Sequence, residues 1–422
     1  MEVFRICGPT VFKGQVEVQG SKNAVLPMMA AAVAATGVTV IKNCPDISDV
    51  HDAMEILRCI GCRAEYSSGT LTIDSSGEIN SIIPSDIMSR IRASFVFTGA
   101  LLSRCKGFTV SHPGGCNIGL RPVDIHLDAL RTLGATVEIS PSEISCTADK
   151  LKPCDISLRF PSVGATENIM ILAASLDGTT RIINSAREPE INDLQDMLNS
   201  MGAHITGAGT SVIVIKGISS LCGTQHTVMS DRIDTATYLT ALACSGGSLT
   251  ISNADACHLQ SYINILKKCG MEINIRHGLI EAQKTGRLKG GITLVTAPYP
   301  GFATDMQSLA MTALSLSEGV SLIRENIFEN RFCLARTLVE MGADIRIYRR
   351  TASVRGVRSL NPVTASVCDL RSGAALAAAM MSCEGESRLG CIHYIDRGYE
   401  KFEQKYTSIG AHIERIETDD AF

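Results

Sequence analysis

The 422-residue chain is predicted to be an α/β protein of two similar domains, each made of three repeat units packed around buried helices. Three observations predict this. Two glycine-centred signatures alternate along the whole sequence, each recurs six times, and the helices before one signature are apolar almost all round. The first signature is an apolar helix, a glycine and an alternating strand. It falls at Gly37, Gly107, Gly178, Gly247, Gly319 and Gly385, 66–72 residues apart. The second is an amphipathic helix closing on a hydrophobic residue and glycine, at Gly61, Gly134, Gly202, Gly270, Gly342 and Gly410, 68–73 residues apart. A glycine at a helix end supplies the positive φ that other residues adopt only at a cost.

The helical stretches divide into two kinds. Phe95 to Leu102, Ile169 to Leu176 and Ala374 to Met381 carry apolar residues on every side, which predicts burial inside a domain. Val123 to Leu133 instead places Val123, Leu127, Leu130 and Leu133 on one stripe, which predicts a helix lying against a sheet. A period near 70 is too long for most solenoid repeats and fits compact α/β units, three to a domain. The boundary is expected near Gln225 to Ser230, and a ligand is expected in the cleft between the domains.

Composition narrows the function. With 45% hydrophobic and 19% charged residues and a net charge of −4, nothing global favours nucleic acid or anionic lipid, so any anion site must be local. The longest apolar stretch, Ala24 to Ile41, is broken by Pro27, Thr36 and Gly37 and reads as a buried helix running into a strand, not a membrane span. The N-terminus lacks the apolar core of a signal peptide, and sixteen irregularly spaced cysteines suit reduced thiols in the cytoplasm. Cys59 and Cys62 form a C-x-x-C pair without the partners that a zinc site needs, so no metal site is expected.

The starts of the buried helices are unusually polar. Helix N-termini present free N–H groups and the positive end of the dipole, so they favour anions. Ser162, Ser230 and Thr304 read as N-caps. Lys22, Arg92, Arg232 and Arg371 do not, because a cation there opposes the dipole and calls for an anion. Arg331 and Arg397 stand beside aromatic residues in matching loops and suit bidentate oxyanion contacts. For Glu190 and Glu400, in comparable loops, solvated loop charge is at least as good a reading as a functional role, with Asn192 as an N-cap. Finally, His112 to Pro122 holds three glycines and two prolines, begins a helix at Pro122, and carries Cys116 with Arg121 close enough to favour a thiolate.

These residues resemble the UDP-N-acetylglucosamine 1-carboxyvinyltransferase family of enolpyruvyl transferases along essentially the whole chain. The resemblance rests on Lys22-Asn23, Arg92-Ala93-Ser94, Pro113-Gly114-Gly115-Cys116, Arg121-Pro122-Val123-Asp124 and Ser162-Val163-Gly164-Ala165-Thr166 in the first half. In the second it rests on Thr304-Asp305-Met306-Gln307, Glu329-Asn330-Arg331-Phe332, Asp369-Leu370-Arg371 and Asp396-Arg397-Gly398-Tyr399, with Glu188-Pro189-Glu190 between. It implies units of βαβαββ type in an inside-out α/β barrel, a first domain of residues 22–229, and a second of residues 1–21 plus 230–422. It also implies transfer of the enolpyruvyl group of phosphoenolpyruvate to the 3-hydroxyl of UDP-N-acetylglucosamine, an early step of peptidoglycan synthesis, with no metal or organic cofactor.

Carried over by position, Lys22, Arg121 and Arg397 become phosphoenolpyruvate contacts with Asn23 close to both ligands, and Arg331 and Arg371, read above as oxyanion-binding cations, are placed in the same phosphoenolpyruvate set. Arg92, Arg121, Pro122, Val123, Asp124, Ile125, Ser162, Val163, Gly164, Asp305 and Ile327 become the nucleotide-sugar contacts. Asp305 is the implied base and Cys116 the implied proton donor, with Lys22 and Arg397 also catalytic, and the epoxide fosfomycin is expected to alkylate Cys116. The sequence departs from the family's habit at Pro9, Ser21, Cys368 and Ser372, none of them among the implied catalytic groups. The sister activity on shikimate 3-phosphate and a non-catalytic nucleotide-sugar-binding protein are the alternatives.

Overall fold

Among the described residues, six helices are buried along nearly their whole length, three in each half of the chain. They are Lys22–Ala34, Phe97–Cys105 and Val163–Ala174, then Arg232–Ser245, Gln307–Ser315 and Leu370–Met380. A computed structural model describes residues 1–418 apart from Pro113, Gly115, Cys116, Asn117, Leu120 and Arg121, and describes Arg92 without its side chain. Runs of small residues let these helices approach one another, as in Ala30-Ala31-Ala32 and Ala377-Ala378-Ala379, all at most 1% exposed. Gly99 is the tightest case: a Cβ there would lie 2.5 Å from the Asn168 carbonyl of the neighbouring helix, so only glycine fits.

The chain falls into two units. One comprises Met1–Gln19 and Ser230–Phe422 with the described residues Ile118 and Gly119; the other spans Gly20–Cys116 and Arg121–Met229. Each has its own hydrophobic core built on its three buried helices. Around each core stand three four-stranded sheets, and all six sheets share one topology. In the first, Gln225–Thr227 runs parallel to Val38–Lys42, which pairs antiparallel with Thr70–Asp74, which pairs in turn with Arg63–Ser67. The sixth borrows its third strand from the start of the chain: Glu2–Gly8 lies between Gly385–Gly390 and His412–Glu417. Helices inside and sheets outside make the inside-out α/β architecture that the repeats predict. Alternation within the strands explains it, since Thr70–Asp74 buries Leu71 and Ile73 and Glu143–Thr147 buries Ile144 and Cys146.

The second glycine series behaves as the sequence predicts. All six members have φ between +98° and +110°, each following an amphipathic helix such as Asp124–Thr132, which buries Leu127, Ala129 and Leu130. In the first series Gly107 is the exception. The left-handed residue that closes helix Phe97–Cys105 is Lys106, at φ +57°, one position early. The helix expected to begin at Pro122 starts at Asp124, with Val123 as its cap residue.

Candidate active site

In the unit that contains residues 230–418, the site is built from a buried carboxylate outward. Strand Val320–Arg324 delivers Glu325, 1% exposed, whose carboxylate accepts hydrogen bonds from Thr296 Oγ1 at 2.9 Å and Thr304 Oγ1 at 3.1 Å. It also accepts from the Ile327 and Phe328 amides at 2.8 and 3.1 Å. One side chain thus fixes both the Thr304–Met306 turn and the loop bearing half-buried Ile327. On that base Asp305 meets two guanidinium groups. Arg331 Nη2 donates to Asp305 Oδ1 at 2.8 Å, and Arg371 Nη2 donates to Oδ2 at 3.2 Å.

Both arginines are held from behind. Arg331 is 2% exposed, donates through Nε to the Thr304 carbonyl at 3.2 Å, and lies 3.8 Å from Asp369. Arg371 sits in the first turn of Leu370–Met380, where the Asp369 carboxylate caps the helix by accepting from the Arg371 and Ser372 amides. Its guanidinium lies 5.9 Å from the Tyr399 ring centre, and the Tyr399 hydroxyl is 2.9 Å from Thr237. Burial works against the Arg371 charge, but Asp305 together with Tyr399 and Asp231 offsets it and raises the group above its usual value. Arg371 Nη1 is buried and meets no acceptor among the described residues, so a donor remains for an anionic ligand.

Apart from Arg397, the remaining expected residues lie in the other unit. Lys22, at the first turn of its helix, is buried, and its Nζ lies 2.6 Å from Asp49 Oδ2. The anion that its position calls for is therefore partly supplied from within, by the helix Ser48–Cys59. Asn23, beside it, is half-buried. Ser162 caps Val163–Ala174, accepting from the Ala165 amide at 3.4 Å. Gly164 faces His126, where a Cβ would lie 3.2 Å from the ring. Val123, Asp124 and Ile125 are half-buried, Pro122 is exposed, and Asp124 is ion-paired with Arg159. Arg92 opens a short 3-10 turn, Arg92–Val96. Cys116 and Arg121 lie outside the described residues.

Several expectations are corrected. Ser230 does not cap its helix; Asp231 does, accepting from the Ile233 and Asp234 amides, because a carboxylate one residue later reaches both. Thr304 is no cap either, since its hydroxyl donates to Glu325. Asn192 lies inside helix Pro189–Ser200, whose cap residue is Glu188. Glu190 is not a solvated loop charge: it occupies that helix's first turn at 2% exposure. With Glu188 it faces Glu167, whose carboxyl is pushed up to about 8 by burial first and by Glu190 and Glu188 second. Arg397 is half-buried just past helix His393–Asp396, and Arg232 is buried with its guanidinium 5.7 Å from the Tyr299 ring centre.

Sequence reasoning brought Asp305, Arg331 and Arg371 into view, and the fold brings them into contact. It missed Glu325 and Asp49, whose roles depend on contacts far along the chain. Three possible metal-ligand atoms do gather within 4.8 Å of one another, on Cys333, Cys368 and Asp369.

A chain with this fold and this knot of buried arginines around a carboxylate matches the family described as EPSP synthase (3-phosphoshikimate 1-carboxyvinyltransferase) over residues 6–406. The chain belongs to the enolpyruvyl transferase family. A relative from Caldanaerobacter subterraneus subsp. tengcongensis, named UDP-N-acetylglucosamine 1-carboxyvinyltransferase 2, is 44% identical over 99% of this chain and 100% of its own. A UDP-N-acetylglucosamine 1-carboxyvinyltransferase from Elusimicrobium minutum is 41% identical over 98% of this chain and 99% of its own. Among solved structures, the enolpyruvyl transferase NikO from Streptomyces tendae superposes with a TM-score of 0.89 at 26% identity, covering 98% of each chain. EPSP synthase from Acinetobacter baumannii, at TM-score 0.77 and 19% identity over 99% of this chain and 100% of its own, shares the fold. No helix among the described residues is long and apolar enough to cross a membrane.

Proposed function

We infer that the protein transfers the enolpyruvyl group of phosphoenolpyruvate to the 3-hydroxyl of UDP-N-acetylglucosamine and releases phosphate. The observation that carries this is full-length identity of 40–44% with relatives bearing that activity's name. The sugar oxygen adds to C2 of phosphoenolpyruvate while C3 gains a proton; C3 then loses a proton as the C2–O bond to phosphate breaks. The C2=C3 double bond is restored, now in an enol ether, and no net oxidation occurs.

In this reading Asp305 accepts the proton of the sugar hydroxyl and Cys116 donates to C3. Lys22, Asn23, Arg121, Arg331, Arg371 and Arg397 bind phosphoenolpyruvate, neutralising its carboxylate and phosphate as charge shifts onto the leaving oxygen. Arg92, Arg121 to Ile125, Ser162 to Gly164, Asp305 and Ile327 bind the nucleotide sugar. The Asp305 pair with two guanidiniums supports a coupling between ligand and base. While both arginines hold the carboxylate, accepting a proton means giving up both attractions; an arriving anion that draws one arginine away lowers that cost. The unused Arg371 Nη1 donor is a ready point of attachment for such an anion.

The product would feed peptidoglycan precursor assembly in the cytoplasm. The sister reaction is the second reading, favoured by the description of the matching family. Phosphate release from phosphoenolpyruvate, measured with UDP-N-acetylglucosamine and separately with shikimate 3-phosphate, decides. Release with the nucleotide sugar alone is expected; release with shikimate 3-phosphate alone, or with neither, overturns the assignment.

A further inference from the structure

Two thiols outside the proposed ligand set stand together beside it. Cys333 and Cys368 place their sulfurs 2.7 Å apart, beyond a covalent S–S bond of about 2.05 Å. Both are half-buried, within reach of a small reagent. Cys333 immediately precedes helix Leu334–Glu340, and Cys368 immediately precedes the Asp369 cap of Leu370–Met380. Each backbone is therefore anchored by a helix start. Asp369 Oδ2 accepts from Cys333 Sγ at 3.2 Å and lies 3.7 Å from Cys368 Sγ, while Ser372 Oγ is 3.4 Å from Cys333.

The pair is chemically unequal. In the structure Cys368 Sγ donates to Cys333 Sγ, whose own S–H goes to Asp369; once the Cys368 proton leaves, the Cys333 S–H can turn from Asp369 to the thiolate, which pulls Cys368 below its ordinary value although burial and Asp369 push the other way. Cys333 is raised, chiefly by its hydrogen bond with Cys368 and then by burial. A thiolate beside a protonated thiol is the arrangement that thiol–disulfide exchange uses, with one group to attack and one to resolve.

We propose that Cys333 and Cys368 form a dithiol modification site that reacts with low-molecular-weight disulfides and closes to an intramolecular disulfide. In the first step the Cys368 thiolate attacks one sulfur of RS–SR, forming a mixed disulfide and expelling RS⁻. Cys333 then loses its proton to solvent by way of Asp369 and attacks the Cys368 sulfur, expelling the second RS⁻. Two protein thiols are oxidised, one small disulfide is reduced to two thiols, and the protons balance. The bond removes both S–H groups that face Asp369. It also fastens the segment carrying Arg331 to the helix start carrying Arg371, so the modification reaches the Asp305 cluster. A soft metal ion is the competing occupant. In a tetrahedral zinc site with Zn–S near 2.3 Å, the two sulfurs would have to part to roughly 3.8 Å. From 2.7 Å, bond formation needs the smaller movement.

The test uses the full folded chain. It is incubated with oxidised glutathione, its remaining thiols are blocked with iodoacetamide, and tryptic peptides are weighed. Each cysteine falls in its own peptide, residues 332–336 and 359–371. We expect these two peptides linked, with the loss of two hydrogen atoms, and separated by dithiothreitol. In Cys333→Ser the Cys368 peptide should instead keep a glutathione adduct, because the resolving thiol is gone. Both peptides carboxamidomethylated in the wild-type chain, a glutathione adduct persisting on wild-type Cys368, or stoichiometric zinc lost on Cys368→Ser would each overturn the proposal. The wild-type peptide map decides even if a variant fails to fold.

Discussion

Glu167 and Arg371 both lie near the starts of buried core helices, and their surroundings are opposite. Arg371 is met by Asp305, which a second arginine shares, so each buried charge in that cluster has a counter-charge at 2.8–3.2 Å. Glu167 faces Glu188 and Glu190 and answers with a carboxyl that keeps its proton to about pH 8. The Asp305 cluster therefore holds its charges as ion pairs, which resist change in pH. The Glu167 cluster holds a proton, which does not.

The contrast is broken most strongly at Arg331. It is 2% exposed and contacts Asp305 and Asp369, so Arg331→Ala leaves buried Asp369 without its arginine and Asp305 with one of its two, and is expected to cost about 3 kcal/mol. Urea denaturation measures it; a loss under about 1 kcal/mol would mean that the pairs are worth no more than surface ones. Next in size is Glu167→Gln. A carboxyl whose folded value is raised stays neutral in the fold while the unfolded chain ionises, so its contribution is present at low pH. It is lost as pH rises from about 4.5 to about 8. The glutamine variant escapes this loss and should be more stable than the parent at pH 8 by on the order of 3 kcal/mol, the difference shrinking toward pH 5. Equal stabilities at both pH values would remove the comparison's second half. The smallest effect is expected at the cap: Ser162→Ala should cost about 1 kcal/mol, read as a lowered urea midpoint with an unchanged slope.

What the sequence discloses follows the range of the interactions. The glycines that close the amphipathic helices are local features, set by backbone sterics, and all six take positive φ. The one displaced member of the other series, Gly107, shows the limit: a lysine can take the left-handed position one residue earlier. Caps are half-local, so Ser162 was legible while Asp231 displaced Ser230 by a single step. The cations at helix starts were legible as anomalies because they oppose the dipole. Their compensation was not, since Asp49 and Asp305 come from other elements. Asp305 lies 66 residues from Arg371 and 26 from Arg331. Glu325 was illegible for the same reason, as its four donors span residues 296 to 328. Glu190 was misread because a charge beside proline looks like a loop until its helix is seen folded against the core.

The account turns on Asp305 as the group that takes the proton from the sugar hydroxyl. The direct measurement is Asp305→Asn, with UDP-N-acetylglucosamine affinity read by titration calorimetry and turnover read as phosphate release. Asparagine keeps an oxygen that both arginines can contact but cannot act as the base. We expect nucleotide-sugar affinity within about tenfold of the parent and turnover down by about 10²–10⁴. Parent-like turnover in a folded variant that binds the nucleotide sugar normally would contradict that assignment.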